Sequence, residues 1–119
     1  MAAPNILSLT TITGKSAVLA VTSSPAAIVA NSAGSGQVLR VGSLYVSNVD
    51  GTNACNVSVD IYRNSVAYRT HYLIAVPARA SFIAIAKDGP LYLEEGDSLR
   101  LTASADSDLE AVASYEVMV

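Results

Sequence analysis

The chain never runs far without a turn. Ser23-Ser24-Pro25, Asn31 to Gly36, Asp50 to Asn53, Arg63-Asn64-Ser65, Pro77 to Arg79, Lys87 to Pro90, Glu94 to Asp97 and Ser104 to Asp108 are all turn-forming by composition. Gly permits positive φ, Pro presets φ, and Asn, Asp and Ser bond to nearby backbone. None of the stretches between them carries the 3.6-residue apolar period with caps. They are rich instead in Val, Ile, Leu, Tyr, Ser and Thr, many of them strand-favouring. Turn signals at this spacing predict an all-β fold, an antiparallel β-sandwich that is jelly-roll-like and has about eight strands. A chain of 119 residues suits a single domain. Residues 15–119 are expected to form that domain, and the Thr-rich residues 1–14 an N-terminal arm or edge strand.

The strands show their faces by alternation. Ala17 to Val21 and Ala26 to Ala30 read as short strands around a turn. In Gln37 to Val49, Leu39 and Val41 share one face, and after Gly42 the phase slips so that Leu44, Val46 and Asn48 take it up. A one-residue slip at a glycine predicts a bulge. Cys55, Val57, Val59 and Ile61 alternate with Asn56, Ser58, Asp60 and Tyr62. Val66 to Val76 is a further strand, with a break expected near Arg69 and Thr70. Ser81 to Ala86, Leu91 to Leu93, Ser98 to Ala103 and Leu109 to Val119 complete the set. The core is expected to draw on Val41, Leu44, Val46, Val57, Val59, Ile61, Ile74 and Val76. From the later strands it should take Ile83, Ile85, Leu93, Leu99, Leu101 and Val112. The nineteen alanines are poor strand formers, and where they alternate with bulky residues they point to close approach of sheets or subunits.

Composition removes several function classes. Charged residues are 14% of the chain and the net charge is -3. The seven Lys and Arg are scattered, so no basic groove is expected against phosphates and nucleic acid is not a partner. The single cysteine, Cys55, excludes an intrachain disulfide and reads as a small buried hydrophobe. The first ten residues carry no basic run before an apolar one, so neither a signal peptide nor a membrane anchor is expected.

Few residues offer chemistry. Glu94, Glu95 and Asp97 form the densest acidic group and are the candidates for a metal site, calcium in particular. As a corner between two strands, the same residues read as a solvated turn. Asp106 and Asp108 read as turn residues. His71 is the sole histidine, and no Gly-x-Ser-x-Gly elbow or phosphate-cradling loop accompanies it. No cofactor and no enzymatic activity are expected. The six tyrosines, against one Phe and no Trp, are amphipathic residues suited to half-buried surfaces. Tyr45, Tyr62, Tyr68, Arg69, His71 and Tyr72 are therefore the candidate interface residues.

Five stretches carry a resemblance. They are Val46-Ser-Asn-Val-Asp-Gly-Thr-Asn53, Val76-Pro-Ala78, Leu91-Tyr-Leu-Glu-Glu-Gly-Asp-Ser-Leu-Arg100, Thr102-Ala-Ser-Ala105 and Leu109-Glu-Ala-Val-Ala-Ser-Tyr-Glu116. Together they resemble a family of small virion proteins of tailed phages, particularly phages of cyanobacteria. The resemblance spans residues 3–119, and its most specific segment is the one beginning at Tyr92. It implies a structural protein of the virion, made in the host cytoplasm: a capsid decoration (cement) protein, or alternatively a neck, tail or fibre component that could bind carbohydrate. The partners implied are other copies of the chain, a trimer being favoured, and virion proteins such as the major capsid protein, with no membrane involved. These stretches are strand-turn-strand units, and no functional residue is carried over with them.

If the Tyr68 to Tyr72 segment is interfacial, Arg69→Ala and Tyr72→Ala will lower the oligomer mass in solution while leaving unfolding curves near those of the parent. Lost stability with intact oligomers would contradict that role.

Overall fold

The structure, a computed structural model, describes residues 5–119. Residues 1–4 of the expected arm lie outside the described residues. Asn5 caps a short 3-10 turn, Ile6–Ser8, by accepting the Leu7 N–H at 3.0 Å. Nine strands follow: β1 Ile12–Val21, β2 Ala26–Ala30, β3 Val38–Asn48, β4 Cys55–Arg63, β5 Val66–Val76, β6 Ser81–Ile85, β7 Leu91–Leu93, β8 Ser98–Ala103 and β9 Leu109–Met118. Residues 12–14 thus begin β1, an edge strand that runs across the boundary expected at residue 15.

All pairings are antiparallel. One sheet runs β1–β9–β3–β6, with β7 also pairing β3, and the other runs β2–β8–β4–β5. The order has a simple origin. The chain doubles back at Asn64-Ser65, so that β4 pairs β5, β3 pairs β6 and β7, β2 pairs β8, and β1 pairs β9. This long ribbon rolls up until β9 also meets β3 and β8 also meets β4. That is the jelly-roll arrangement, with its sixth strand divided into β6 and β7 by the turn that includes Lys87-Asp-Gly-Pro90. The expected all-β sandwich of about eight strands is the fold observed.

Local chemistry explains the turns. Asn64 and Ser65 have φ of 51° and 63°, the two positive values of a type I′ hairpin. The phase slip at Gly42 is a bulge: the β3–β9 register shifts between Val41 and Ser43. Both halves of β3 consequently send Leu39, Val41, Leu44 and Val46 inward. No break divides β5. Instead its register against β4 shifts twice, around Thr70 and around Tyr72-Leu73. The Leu73 N–H is satisfied by the Ser58 hydroxyl at 3.0 Å. Two bulges on this edge strand discourage further strand addition there. The turns at Ser23 to Pro25 and Ser104 to Asp108 carry the chain from one sheet to the other.

The core lies between the sheets. Leu44, Leu93, Leu99, Leu101 and Leu109 are its largest fully buried side chains, joined by Val41, Val46, Val57, Val59 and Val76. Each such side chain contributes about 1.5–3 kcal/mol by leaving water. Cys55 is buried and free, as expected. Three core assignments need correction. Ile61 is only partly buried, while Ile83 and Val112 point outward and are exposed; Ile74, partly buried, packs against the core. In β9 the inward positions belong to Ala111 and Ala113, both essentially without exposure. Small residues on a central strand let the opposite sheet pack close, and the bulkier Val112 is left outside.

This inversion has a measurable consequence. Ala113→Leu will overpack the core and lower stability in urea by about 1–3 kcal/mol. Val112→Ala, on the solvent side, will cost less than about 1 kcal/mol. The opposite order would place the core on the other face of β9.

Candidate interaction surfaces

The acidic corner is a structural lock. Gly96, with φ +90°, turns the chain between β7 and β8 in a conformation that favours glycine. The turn aims Asp97 inward, where it is almost fully buried. Arg63, at the end of β4, grips its carboxylate with two donors, Nε to Oδ1 at 2.7 Å and Nη2 to Oδ2 at 2.6 Å. The Glu94 N–H donates to the same Oδ2 at 2.8 Å. Donation from Arg63 is the chief reason the Asp97 carboxyl is held below its ordinary value of 3.8, and burial opposes it. The same contact raises the Arg63 pKa.

Glu94 takes the outer side of Arg63 at 3.0 Å, whereas Glu95 turns away to accept the Gly36 N–H at 3.1 Å. The three candidate metal ligands therefore do not converge, and the strongest of them is engaged by a guanidinium. Among the described residues no group of three His, Cys, Asp or Glu side chains is placed to hold a metal ion. The corner carries the turn role instead. Nearby, the buried Asn31 donates from its side chain to the carbonyls of Gln37 and Leu93, both at 3.0 Å. Asn48 does the same at the other end of β3, donating to Asn53 and Val76.

The tyrosine and arginine candidates separate into different surroundings. On the outer face of β4–β5–β8, Arg100 donates to the buried Asp60 at 3.0 Å and lies over the Tyr62 ring at 4.0 Å from its centroid. Arg69 covers Tyr72 in the same way at 4.6 Å. Asp60 and Arg100 were not singled out by sequence, because only the register Asp60↔Arg100 brings them side by side. Tyr68 is exposed on the edge strand β5. His71 lies at the rim between the sheets. Its ring meets Phe82 of β6 edge-on at 5.3 Å, and its Nδ1 is 3.0 Å from the Thr70 hydroxyl. No carboxylate or serine joins it in a catalytic arrangement among the hydrogen bonds of the described residues.

Tyr45 belongs to the other sheet. On the outer face of β1–β9–β3–β6 the register sets Val18 beside Val112, Val112 beside Tyr45, and Tyr45 beside Ile83. These four side chains cross the full width of the sheet in one row, with exposures of 77%, 42%, 45% and 56%. One step along the strands on one side lie Ser16, Ser114 and Ser43; on the other side lie Ala20, Glu110 and Ser47. Sequence reasoning placed only Tyr45 on the surface here and assigned Val112 and Ile83 to the core. The signal for the rest was cross-strand adjacency, which becomes readable only once strand order is known.

Comparison with known proteins finds the fold elsewhere. No family model matches the chain, and no curated protein matches it. A chain from the acidic stable capsid structure of Helicobacter pylori bacteriophage KHP30 superposes with a TM-score of 0.55 at 10% identity, over 94% of this chain and 90% of that one. A chain from the disulfide-linked pili of Bacillus endospore appendages superposes with a TM-score of 0.51 at 15% identity, over 92% and 88%. At such identities the similarity is one of fold. No helix among the described residues is long and apolar enough to cross a membrane.

The lock at Asp97 gives a pH test. Asp97→Asn keeps the shape but removes the charge that Arg63 grips, at a cost of about 1–3 kcal/mol near neutral pH. Because the folded pKa lies below 3.8, the wild-type advantage is complete above that value and fades as pH falls through the folded pKa. Urea unfolding of both proteins across the acid range measures it. A difference that grows on acidification would contradict the lock.

Proposed function

We propose that the chain is a non-enzymatic structural component of a tailed-phage virion, a decoration protein that binds and stabilises the capsid shell as a homo-oligomer. The observation that carries this reading is the jelly roll itself, shared over nearly the whole chain with a chain from a phage capsid structure. The sequence resemblance to small virion proteins of cyanobacterial phages points the same way. The chemistry of the side chains adds support. The acidic corner is spent on Arg63, and His71 rests against Phe82. What the surface offers is extent rather than a reactive centre. Decoration of a shell uses such a surface well, since many modest contacts repeated over many copies stabilise the assembled form by mass action.

One observation favours the capsid reading over an appendage of the pilus kind. The pilus chains that share this fold are disulfide-linked, whereas the single cysteine here is buried in the core. It sits 3.4 Å from the Ser104 hydroxyl and offers no exposed thiol for covalent linkage between copies.

Labelling of virions purified from cells that produce the chain tests the proposal. Antibody to the chain is expected to decorate heads regularly, and its peptides to copurify with the shell. Labelling confined to the neck, tail or fibres would favour the attachment role. Absence from the particle would overturn the virion reading.

A further inference from the structure

The outer faces of the two sheets are built differently. That of β2–β8–β4–β5 carries the Asp60–Arg100 pair and the two arginine–tyrosine stacks. That of β1–β9–β3–β6 carries the uncharged row Val18, Val112, Tyr45 and Ile83 at its centre. A solvated sheet face ordinarily alternates apolar-in with polar-out. Here one outward row across the centre of the sheet is β-branched and aromatic, between rows of Ser, Ala and Glu110, and none of the described residues covers it.

We infer that this face is the contact between two copies of the chain, packed sheet on sheet with the rows opposed. The inference rests on the homo-oligomer in the reading above and names its surface. Size supports it. β1, β3 and β9 are ten or eleven residues long and β6 and β7 share the fourth position, so with strands about 4.8 Å apart the face measures at most about 19 by 34 Å, or about 650 Å² in projection. Side-chain relief raises the accessible area above that figure, close to the roughly 800 Å² per partner of a standard interface.

Charge supports a second copy as the occupant. Glu110 is the one charged residue in the two rows flanking the apolar one, and the next row beyond Ser114 holds the Arg40–Glu116 ion pair. A two-fold axis lying in the interface along the row sets Glu110 against Ser114. An axis along the strands sets it against Ser47. In neither case does it meet its own copy, so no like charges are opposed within these three rows, and the serine hydroxyls supply donors. Two outward faces of this kind stack about 10 Å apart, as the sheets of a sandwich do.

Sedimentation velocity on the intact protein and on Val112→Asp and Val18→Asp tests the inference, with thermal unfolding as the check on folding. Both sites are exposed, so each variant should fold, and if one does not the other still reports. An aspartate buried unpaired in each copy should weaken association at least about 100-fold. Leu73→Asp, exposed on β5, should leave it unchanged. A two-fold contact gives closed assemblies of even copy number. Wild-type assembly with folded but monomeric aspartate variants supports the contact. Assembly that survives both variants, or a closed trimer, overturns it and leaves the virion reading standing. A wild-type monomer at the highest concentration overturns the self-contact and the homo-oligomer together, while virion labelling still decides the location.

Discussion

Much of this structure depends on the facing of one strand. β9 lies between β1 and β3 and pairs with both along its whole length. Its alternation is alanine on one side and bulkier or polar residues on the other. Sheet geometry allows only two choices, since a one-residue slip reverses every side chain. The choice taken buries Ala111 and Ala113. Leu44, Leu99 and Leu101 can then fill the narrow interior from other strands. The cost is that Val112 must face outward. There it joins Val18, Tyr45 and Ile83, so the packing of the core and the apolar outer row have the same cause.

The ends of the sandwich are closed by polar rather than apolar chemistry. Asn31 and Asn48 sit buried at opposite ends of β3 and donate to carbonyls that strand pairing leaves free. Asp97 draws Arg63 over one end. Asp106 ties the β8–β9 corner to the β1–β2 corner by accepting the Ser23 N–H at 2.7 Å. Among the described residues no buried side-chain nitrogen or oxygen lacks a partner. Complete satisfaction of this kind matters more than the strength of any single bond, because an unpaired buried polar group costs more than a paired one gains. These residues hold the crossings between sheets in place, and the crossings fix the strand order.

The fold was largely legible in the sequence because its signals are local. Turn residues, the period-two alternation of Cys55 to Val59 and the slip at Gly42 each act within a few positions, and each is found where the residues put it. Bulk misled where it stood in for burial. Ile83 and Val112 are large and apolar and were assigned inward, yet the alanines beside Val112 take the interior. The nineteen alanines had already pointed to close packing, but not to the strand on which it happens. Surface residues were harder still. Asp60 meets Arg100, and Val18 meets Val112, through pairings between residues 40 and 94 positions apart. No local pattern encodes such distances. The acidic corner was read as a solvated turn; it is a turn, but Asp97 is buried in it against Arg63, 34 residues away.

Shape and chemistry together describe a small building block. Its interior is apolar, its ends are pinned by satisfied polar groups, and one of its outer faces carries an uncharged apolar row across its centre. A block of this kind does its work by the surfaces it covers. The most direct measurement is an electron cryomicroscopy map of the assembled protein. The account predicts density of a second copy over Val112 and Tyr45, with Asp60 and Arg100 facing away from it. A map in which the Val18 to Ile83 row faces solvent, and the contacts are made by β5 or the opposite sheet, would contradict it.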